Sequence, residues 1–153
     1  MKCFFDTNVL LYQYDASERR KQTIADDLIK RSIAQSEFRI STQVMMEFYH
    51  VATRKFAHTI SLRRLQRLML ELADSEPVLL SPALILEATS IHQNDSISWW
   101  DSTIVAAALH AEAHVLYSED LQHHRYFDDL QIINPFLDGV HEAQTPYSAR
   151  RKE

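Results

Sequence analysis

The stretch Cys3-Phe4-Phe5-Asp6-Thr7-Asn8, near the start of the chain, predicts both a fold and a site. Its first three residues suit a short buried strand, and Asp6 follows at the carboxyl end of that strand. Open α/β sheets bind their ligands beside the carboxyl ends of the strands. Asp6 is therefore a candidate site residue, although Asp-Thr-Asn is also favourable turn chemistry.

Strands and helices alternate along the rest of the sequence. Strands are predicted over residues 2–5, 38–41, 114–117 and 131–133, and helices over about 17–36, 42–55, 62–72, 82–92 and 99–113. Residues 6–15 are expected to form a loop with inward-packing apolar side chains, and residues 93–98 a polar break. This alternation indicates a parallel sheet with helical crossovers, and so an α/β fold.

The composition is that of an ordinary globular domain. The chain has 153 residues, of which 46% are hydrophobic and 24% charged. No apolar run approaches the roughly 20 residues of a membrane helix, and the N-terminus has no signal-peptide pattern. The single cysteine, Cys3, excludes an internal disulfide framework and indicates a buried, reduced thiol. We therefore expect one cytoplasmic domain without a membrane anchor. The only glycine, Gly139, excludes a Gly-rich phosphate loop.

Three further acids stand in positions comparable to that of Asp6. Asp120 follows the predicted strand at residues 114–117, and Asp101 opens a predicted helix. Glu47 lies within a helix with apolar residues on both sides, where a carboxylate is normally paired, hydrogen-bonded or metal-bound. Because the carboxyl ends of parallel strands share one edge of a sheet, Asp6 and Asp120 are expected to meet there.

Carboxylates that lie together repel one another unless a cation neutralises them. Oxygen-only ligands favour Mg²⁺ or Mn²⁺ over zinc, and the natural chemistry of Mg²⁺ with phosphate is phosphodiester hydrolysis. The four acids are thus predicted metal ligands and catalytic residues. Asn8 and Ser118 are predicted to orient their carboxylates.

Each acid also has a purely structural interpretation. Asp101 suits the first turn of a helix, where the helix dipole favours an acid. Asp120 could cap the segment that follows it, and Glu47 could pair with Arg39 or Arg54. The metal-site hypothesis rests on the joint occurrence of four acids at these places, since any one of them alone is weak evidence.

Charge is distributed unevenly along the chain, whose formal net charge is −5. Residues 1–76 contain 12 Lys/Arg and 10 Asp/Glu, whereas residues 77–153 contain 4 and 11. The densest basic region is a candidate for sequence-independent contacts to phosphates. It consists of Arg54, Lys55, Arg63, Arg64 and Arg67. A solvated helix face is the alternative interpretation of this region.

Several stretches, in their order and spacing, resemble the PIN-domain ribonucleases and, among these, the VapC-type toxins of toxin–antitoxin modules. They are Phe4 to Tyr12 (FFDTNVLLY), Ser41 to Tyr49 (STQVMMEFY), Ser98 to Ser102 (SWWDS), Leu116 to Gln122 (LYSEDLQ) and Ile132 to Phe136 (IINPF). Together they cover the chain from about residue 2 to residue 137. A lone Asp-x-Asn is a weak motif, but the set is specific.

The resemblance implies a three-layer α/β/α sandwich over residues 1–137. Residues 138–153 are polar and have no apolar period, which predicts a mobile tail. It implies a Mg²⁺- or Mn²⁺-dependent endoribonuclease that leaves 5′-phosphate and 3′-hydroxyl ends, with an acidic quartet. Carried over by position, that quartet is Asp6, Glu47, Asp101 and Asp120. A homodimer and an inhibitory antitoxin are the implied protein partners. This chain has Glu112 and His123-His124 where relatives often have glycine, which leaves the substrate choice open.

Other constellations are less favoured. Glu47 and His50 have di-iron spacing, but a second such pair is missing from the sequence. His110 and His114 have the spacing of zinc ligands, without a cysteine to complete the site. Ser102 lacks a nucleophile-elbow context. Two rival functions remain: a non-catalytic module that binds RNA or protein, and an RNA-processing nuclease without an antitoxin.

Overall fold

Five strands form a single sheet in the computed structural model, which describes residues 1–140. They are β1 (Cys3–Phe5), β2 (Phe38–Arg39), β3 (Val115–Tyr117), β4 (Tyr126–Phe127) and β5 (Leu130–Ile133). Their order across the sheet is β2-β1-β3-β5-β4. β1 pairs in parallel with β2 and β3, and β3 with β5, while β4 is antiparallel to β5. The predicted parallel sheet is confirmed.

Within residues 1–140, six helices connect and cover the strands. They are α1 (Thr7–Tyr12), α2 (Arg19–Ala34), α3 (Thr42–Lys55), α4 (Leu62–Asp74), α5 (Pro82–Asp95) and α6 (Trp99–His110). The hydroxyls of Ser41, Ser61, Ser81 and Ser98 each accept a backbone N–H three residues further on, which starts α3, α4, α5 and α6. Each of these helices therefore begins where its serine appears in the sequence.

The two central strands, β1 and β3, are buried on both faces. All six of their residues are buried, as is usual for parallel strands that have helices on both sides. α6 contributes the tightly packed run Ser102 to Ala108, whose small side chains let the helix approach its neighbours closely. Helices on both faces of the sheet make the three-layer α/β/α sandwich that was predicted.

The loop predicted over residues 6–15 was wrong in its first half, which forms α1. The Asp6 side chain caps this helix, and Val9 and Leu10 are buried in the core. Six residues are too few to show a helical period, and Asp-Thr-Asn favours turns and caps equally. The turn-like sequence therefore marks the start of a helix.

Two smaller differences from the predicted elements concern β4 and the end of α5. β4 has only two residues and was not predicted. It pairs with β5 across a two-residue turn in which Asp128 adopts a positive φ of 50°. α5 continues to Asp95 through part of the predicted polar break, and Ser96 ends it in a left-handed conformation. Neither feature has a hydrophobic period that the sequence could reveal.

Cys3 is a buried free thiol, and burial raises its pKa to about 11. Within residues 1–140, every helix is too short or too polar to span a bilayer. The predicted tail falls largely on residues 141–153, which lie outside the described part of the chain. The division into a domain at 1–137 and a tail at 138–153 therefore stays a prediction.

Candidate functional site

Asp6 lies at the centre of the site because β1 and β3 are neighbours. Phe5 pairs with Tyr117, so that Asp6 and Ser118 are the next residues on the two strands. The Asp6 N–H donates to the Tyr117 carbonyl at 3.0 Å. The Ser118 hydroxyl donates to Asp6 Oδ2 at 2.7 Å, and the Thr7 N–H donates to Oδ1 at 2.7 Å. These bonds fix the orientation of a carboxylate that is only 6% exposed.

Glu47 reaches the same region from α3. The Thr7 hydroxyl donates to Glu47 Oε2 at 2.8 Å, and the Gln43 amide donates to Oε1 at 2.9 Å. The half-buried carboxylate is thus held by two neutral donors, without Arg39 as a partner. Arg39 donates instead to the carbonyls of its own strand region. Thr7 connects Asp6 and Glu47, since its N–H contacts the first and its hydroxyl the second.

Asp120 lies at the exposed end of the strand that carries Ser118. Its Oδ2 accepts from Asn8 Nδ2 at 3.0 Å, and its own N–H donates to the Ser118 hydroxyl at 3.2 Å. Asn8 Oδ1 also accepts from the Glu119 N–H at 3.4 Å. Asn8 therefore joins α1 to the segment that follows β3 and sets the direction of the Asp120 carboxylate.

Asp101 stands apart from the other three acids by its contacts. It lies in the first turn of α6, where its N–H donates to the N-cap hydroxyl of Ser98 at 3.1 Å. Two residues later, the buried Thr103 hydroxyl lies 2.5 Å from Gln43 Oε1. The turn that carries Asp101 is thus tied to Glu47 through a polar chain of two side chains.

Like charges surround Asp6 in this arrangement. Burial raises the pKa of Asp6 to about 6, and the charges of Asp120 and Glu47 act in the same direction, while its hydrogen bonds to Ser118 and Thr7 oppose the rise. The ion pairs within residues 1–140 leave all four predicted acids without a Lys or Arg partner. The site therefore carries negative charge that no basic side chain of this region neutralises directly.

A hard divalent cation fits this donor set. The available ligands are carboxylate oxygens, and Asp6 uses each oxygen for one hydrogen bond, which leaves lone pairs for a cation. No three acidic, histidine or cysteine side chains of residues 1–140 converge closely enough to hold a metal together. Mg²⁺ commonly uses one or two carboxylates and keeps several waters, so it does not require such convergence.

Gln43 and Thr103 are site residues that the sequence analysis missed. Gln43 is buried, donates to Glu47 and accepts from Thr103 on α6. The four-residue spacing of Gln43 and Glu47 on one predicted helix was a usable signal, because such residues share a face. Thr103 has no comparable signal, since its contact depends on how α6 packs against α3.

The five predicted RNA-contacting residues are all exposed, at the end of α3 and along α4. Two of them have partners within the protein. Lys55 Nζ lies 3.0 Å from Asp15 Oδ2, and the Arg64 guanidinium lies 5.7 Å from the ring of Tyr14. Arg54 follows Glu47 by seven residues, which on a helix means the same face about 10 Å away. Their role towards RNA stays a prediction.

Ser102 has a structural partner rather than the partners of a nucleophile. Its hydroxyl donates within its own helix, to the Ser98 carbonyl at 2.8 Å.

Comparisons with known proteins identify the fold. Two solved structures share the fold: a toxin–antitoxin complex from Klebsiella pneumoniae (18% identity, TM-score 0.62, covering 88% of this chain and 98% of that one) and the Mycobacterium tuberculosis VapC20, a Sarcin-Ricin loop cleaving toxin (19%, 0.55, 78% and 90%). None of the curated proteins matches this sequence. The PIN domain family model matches residues 3–128, which is most of the chain, and the chain therefore belongs to the PIN domain family.

Proposed function

We propose that the protein is a Mg²⁺- or Mn²⁺-dependent endoribonuclease and the toxin of a toxin–antitoxin pair. One observation carries the proposal above the others. A buried carboxylate, Asp6, lies at the carboxyl ends of parallel strands with Glu47 and Asp120 close enough to raise its pKa. Burying such a group without a counter-ion costs free energy. A cation that binds there removes this cost, and its affinity for the site is higher for that reason.

The ligands in this proposal are Asp6, Glu47, Asp101 and Asp120, directly or through water. A divalent cation held by them would supply charge neutralisation at the phosphate and activation of a water for attack on phosphorus, leaving a 5′-phosphate and a 3′-hydroxyl. Asp101 belongs to this set because its helix turn is tied to Glu47 through Thr103 and Gln43.

The remaining polar residues of the site keep the acids in place. Ser118 and Thr7 orient Asp6, Gln43 and Thr7 orient Glu47, and Asn8 orients Asp120. Partners that orient ligating carboxylates contribute strongly to metal affinity and activity. The network spans α1, α3 and the end of β3, so that three separate elements supply one site.

RNA is the substrate in this proposal. Arg54, Arg63 and Arg67, together with the internally engaged Lys55 and Arg64, would contact the phosphate backbone. VapC20, whose fold this chain shares, is a Sarcin-Ricin loop cleaving toxin. Ribosomal RNA therefore belongs in the first set of substrates to be tried.

An antitoxin and a second copy of the chain are the proposed protein partners. The structural neighbour from K. pneumoniae is a toxin–antitoxin complex, which supports the first. Large apolar side chains are exposed on each of the helices from α2 to α6, which supports the second. They include Met46 on α3 (73% exposed), Leu86 on α5 (69%) and Trp100 on α6 (63%). Light scattering on purified protein should give twice the chain mass, and Leu86→Glu should lower it.

The test of the activity uses purified wild type and Asp101→Asn with total RNA that includes ribosomal RNA, in Mn²⁺ and in EDTA. Discrete fragments with 5′-phosphates, seen only for wild type in Mn²⁺, are the expected result. Binding of RNA without cleavage in either condition would point instead to a non-catalytic module. Cleavage by a protein whose chromosomal neighbourhood encodes no small DNA-binding partner would favour an RNA-processing nuclease.

A further inference from the structure

Lys21, in the first turn of α2, contacts the residue that precedes Asp120. Its Nζ donates to Glu119 Oε1 at 3.0 Å and Oε2 at 3.1 Å, and to the Tyr12 hydroxyl at 3.2 Å. The Tyr12 hydroxyl donates in turn to Glu119 Oε1 at 3.1 Å. These three side chains form a closed set of hydrogen bonds, called here the Lys21–Tyr12–Glu119 cluster.

Aromatic rings enclose the ammonium group of Lys21. Nζ lies 4.8 Å from the ring centre of Tyr12 and 5.6 Å from that of Phe136, and these two rings meet edge to face at 4.8 Å. Arg20 holds Phe136 from outside by donating to its carbonyl at 2.8 Å. The cation is therefore confined by cation–π contacts as well as by hydrogen bonds.

The cluster differs from an ordinary surface ion pair. The side chains of Lys21 and Glu119 are 26% and 29% exposed, whereas those of Lys30 and Asp26, also on α2, are 72% and 41% exposed. An exposed pair such as Lys30–Asp26 contributes little to structure, because water screens the two charges and both side chains remain mobile. A half-buried pair with a third hydrogen-bonding partner restricts its members far more.

Glu119 is held through both its side chain and its backbone. Its side chain is bound by the cluster, while its N–H donates to Asn8 Oδ1. The flanking residues point into the site: Ser118 contacts Asp6, and Asp120 contacts Asn8. Fixing Glu119 therefore fixes the backbone from which the Asp120 carboxylate projects.

We propose that Lys21 is a positioning residue, which holds Asp120 in the metal site by binding Glu119 and keeps the Glu119 charge away from that site. The effect of Lys21 on the metal site rests on the proposed function. The effect of Lys21 on the placement of residues 118–121 concerns the metal-free protein alone.

Removing the ammonium group has two consequences. Lys21→Met keeps the apolar stem among the rings but leaves Glu119 with an unpaired charge, one residue from Asp120. Glu119 then moves towards water or towards the site, and the backbone of Asp120 moves with it. Lys21→Arg keeps the charge and is expected to retain most of the effect.

The first measurement is amide hydrogen exchange without metal, read at Glu119, Asp120 and Leu121, whose N–H groups donate to Asn8 and Ser118. Lys21→Met should exchange at least fivefold faster there, and Lys21→Arg within twofold of wild type. Lys30→Met is the matched control, because it removes the same charge from the same helix. Equal exchange in the Lys21→Met and Lys30→Met proteins would overturn the proposal.

The second measurement is Mn²⁺ affinity by calorimetry on the same proteins. Lys21→Met should bind roughly tenfold or more weakly than Lys30→Met, as expected for loss of an outer partner of a ligand. Faster exchange with unchanged affinity would overturn the link to the metal site. A wild type that binds no Mn²⁺ would instead overturn the proposed function, while the exchange data still decide the placement of Asp120. If Lys21→Met does not fold, Glu119→Gln tests the same contact from its other partner.

Discussion

Asp6 combines three roles in one side chain. It caps α1 through Thr7, it receives the hydroxyl of Ser118 from the next strand, and it carries a charge that the fold does not neutralise. The first two interactions stabilise the fold, whereas the third opposes it. Such a residue is typical of a site in which stability has been given up for binding.

Replacing Asp6 by asparagine should separate these effects in the metal-free protein. Asparagine is as good an N-cap as aspartate, and it removes the charge. The pKa of Asp6 is raised by burial to about 6, so that the folded protein binds the proton more tightly than the unfolded chain. The stability that this proton provides is therefore present at low pH and is lost as the pH rises from about 4 to about 6.

Thermal melts in EDTA between pH 4 and pH 8 measure this difference. The free energy of unfolding of Asp6→Asn should increase relative to that of wild type as the pH rises through that window, by up to about 3 kcal/mol at pH 7. Added Mn²⁺ should reverse the order, because wild type alone keeps the full ligand set. A variant that melts well below wild type at pH 7 in EDTA would assign Asp6 a structural role.

Glu112 illustrates a cost that a single sequence can reveal only by comparison with a family. It stands where PIN-domain relatives often have glycine, and its φ is 55°. His124, in the second such place, has a φ of 66°. Side chains other than glycine are strained in this left-handed region.

Glu112→Gly should raise the melting temperature by roughly 2 to 5 °C, because it relieves this strain. The exposed ion pair between Glu112 and Lys2 would be lost, at little cost. Glu112→Ala loses the same ion pair but keeps the Cβ, and should melt at or below the wild-type temperature. Scanning calorimetry on the three proteins measures both effects.

At the scale of elements, prediction succeeded where a local signal was complete. α3 begins and ends where its apolar period predicted, at Thr42 and Lys55. α1 and β4 were missed because six and two residues carry no period. The parallel sheet alone predicted that the ends of the strands before Asp6 and Asp120 are neighbours, and β1 and β3 do pair. The Thr103–Gln43 contact joins residues 60 apart and needed the packed helices.

Gln43 tests whether α3 positions Glu47 through a single side chain. Gln43→Met has similar volume and removes the donor to Glu47, while Thr103 keeps the Trp100 carbonyl as its acceptor. RNA cleavage should fall roughly 10- to 100-fold, with little change in melting temperature. Gln66→Met, at an exposed position of α4, is the matched control. Full activity of Gln43→Met would remove this contact from the account of the site.

At the scale of the whole molecule, the acidic residues of the site and the exposed basic residues occupy different regions. Asp6 and Asp120 follow the carboxyl ends of β1 and β3, while exposed arginines lie on α3 and α4. An RNA phosphate backbone could then bind the basic helices and present one phosphate to the acids, provided that a cation occupies the site. The net charge of −5 conceals this division.

The salt dependence of RNA binding tests this arrangement. In an Asp101→Asn background, which is expected to prevent cleavage, Arg54, Arg63 and Arg67 are changed together to glutamine. Each lost phosphate contact on a single strand lowers the slope of log K against log salt by about 0.7, so the slope should fall by about 2. Fluorescence anisotropy with a labelled single-stranded RNA measures it between 50 and 200 mM salt, roughly the range over which such contacts weaken.

The control for this experiment removes the same charge elsewhere. Lys2, Arg19 and Lys30 are changed to glutamine in the same background, and the slope should stay close to that of the parent. A uniform loss of slope in both triple variants would mean that net charge, rather than the α3 and α4 surface, attracts RNA. An unchanged slope in the Arg54, Arg63 and Arg67 variant would place the RNA on another face. In that case the exposed apolar residues of α5 and α6 would be the next surface to change, because the exposed Trp100 directly precedes Asp101 on α6.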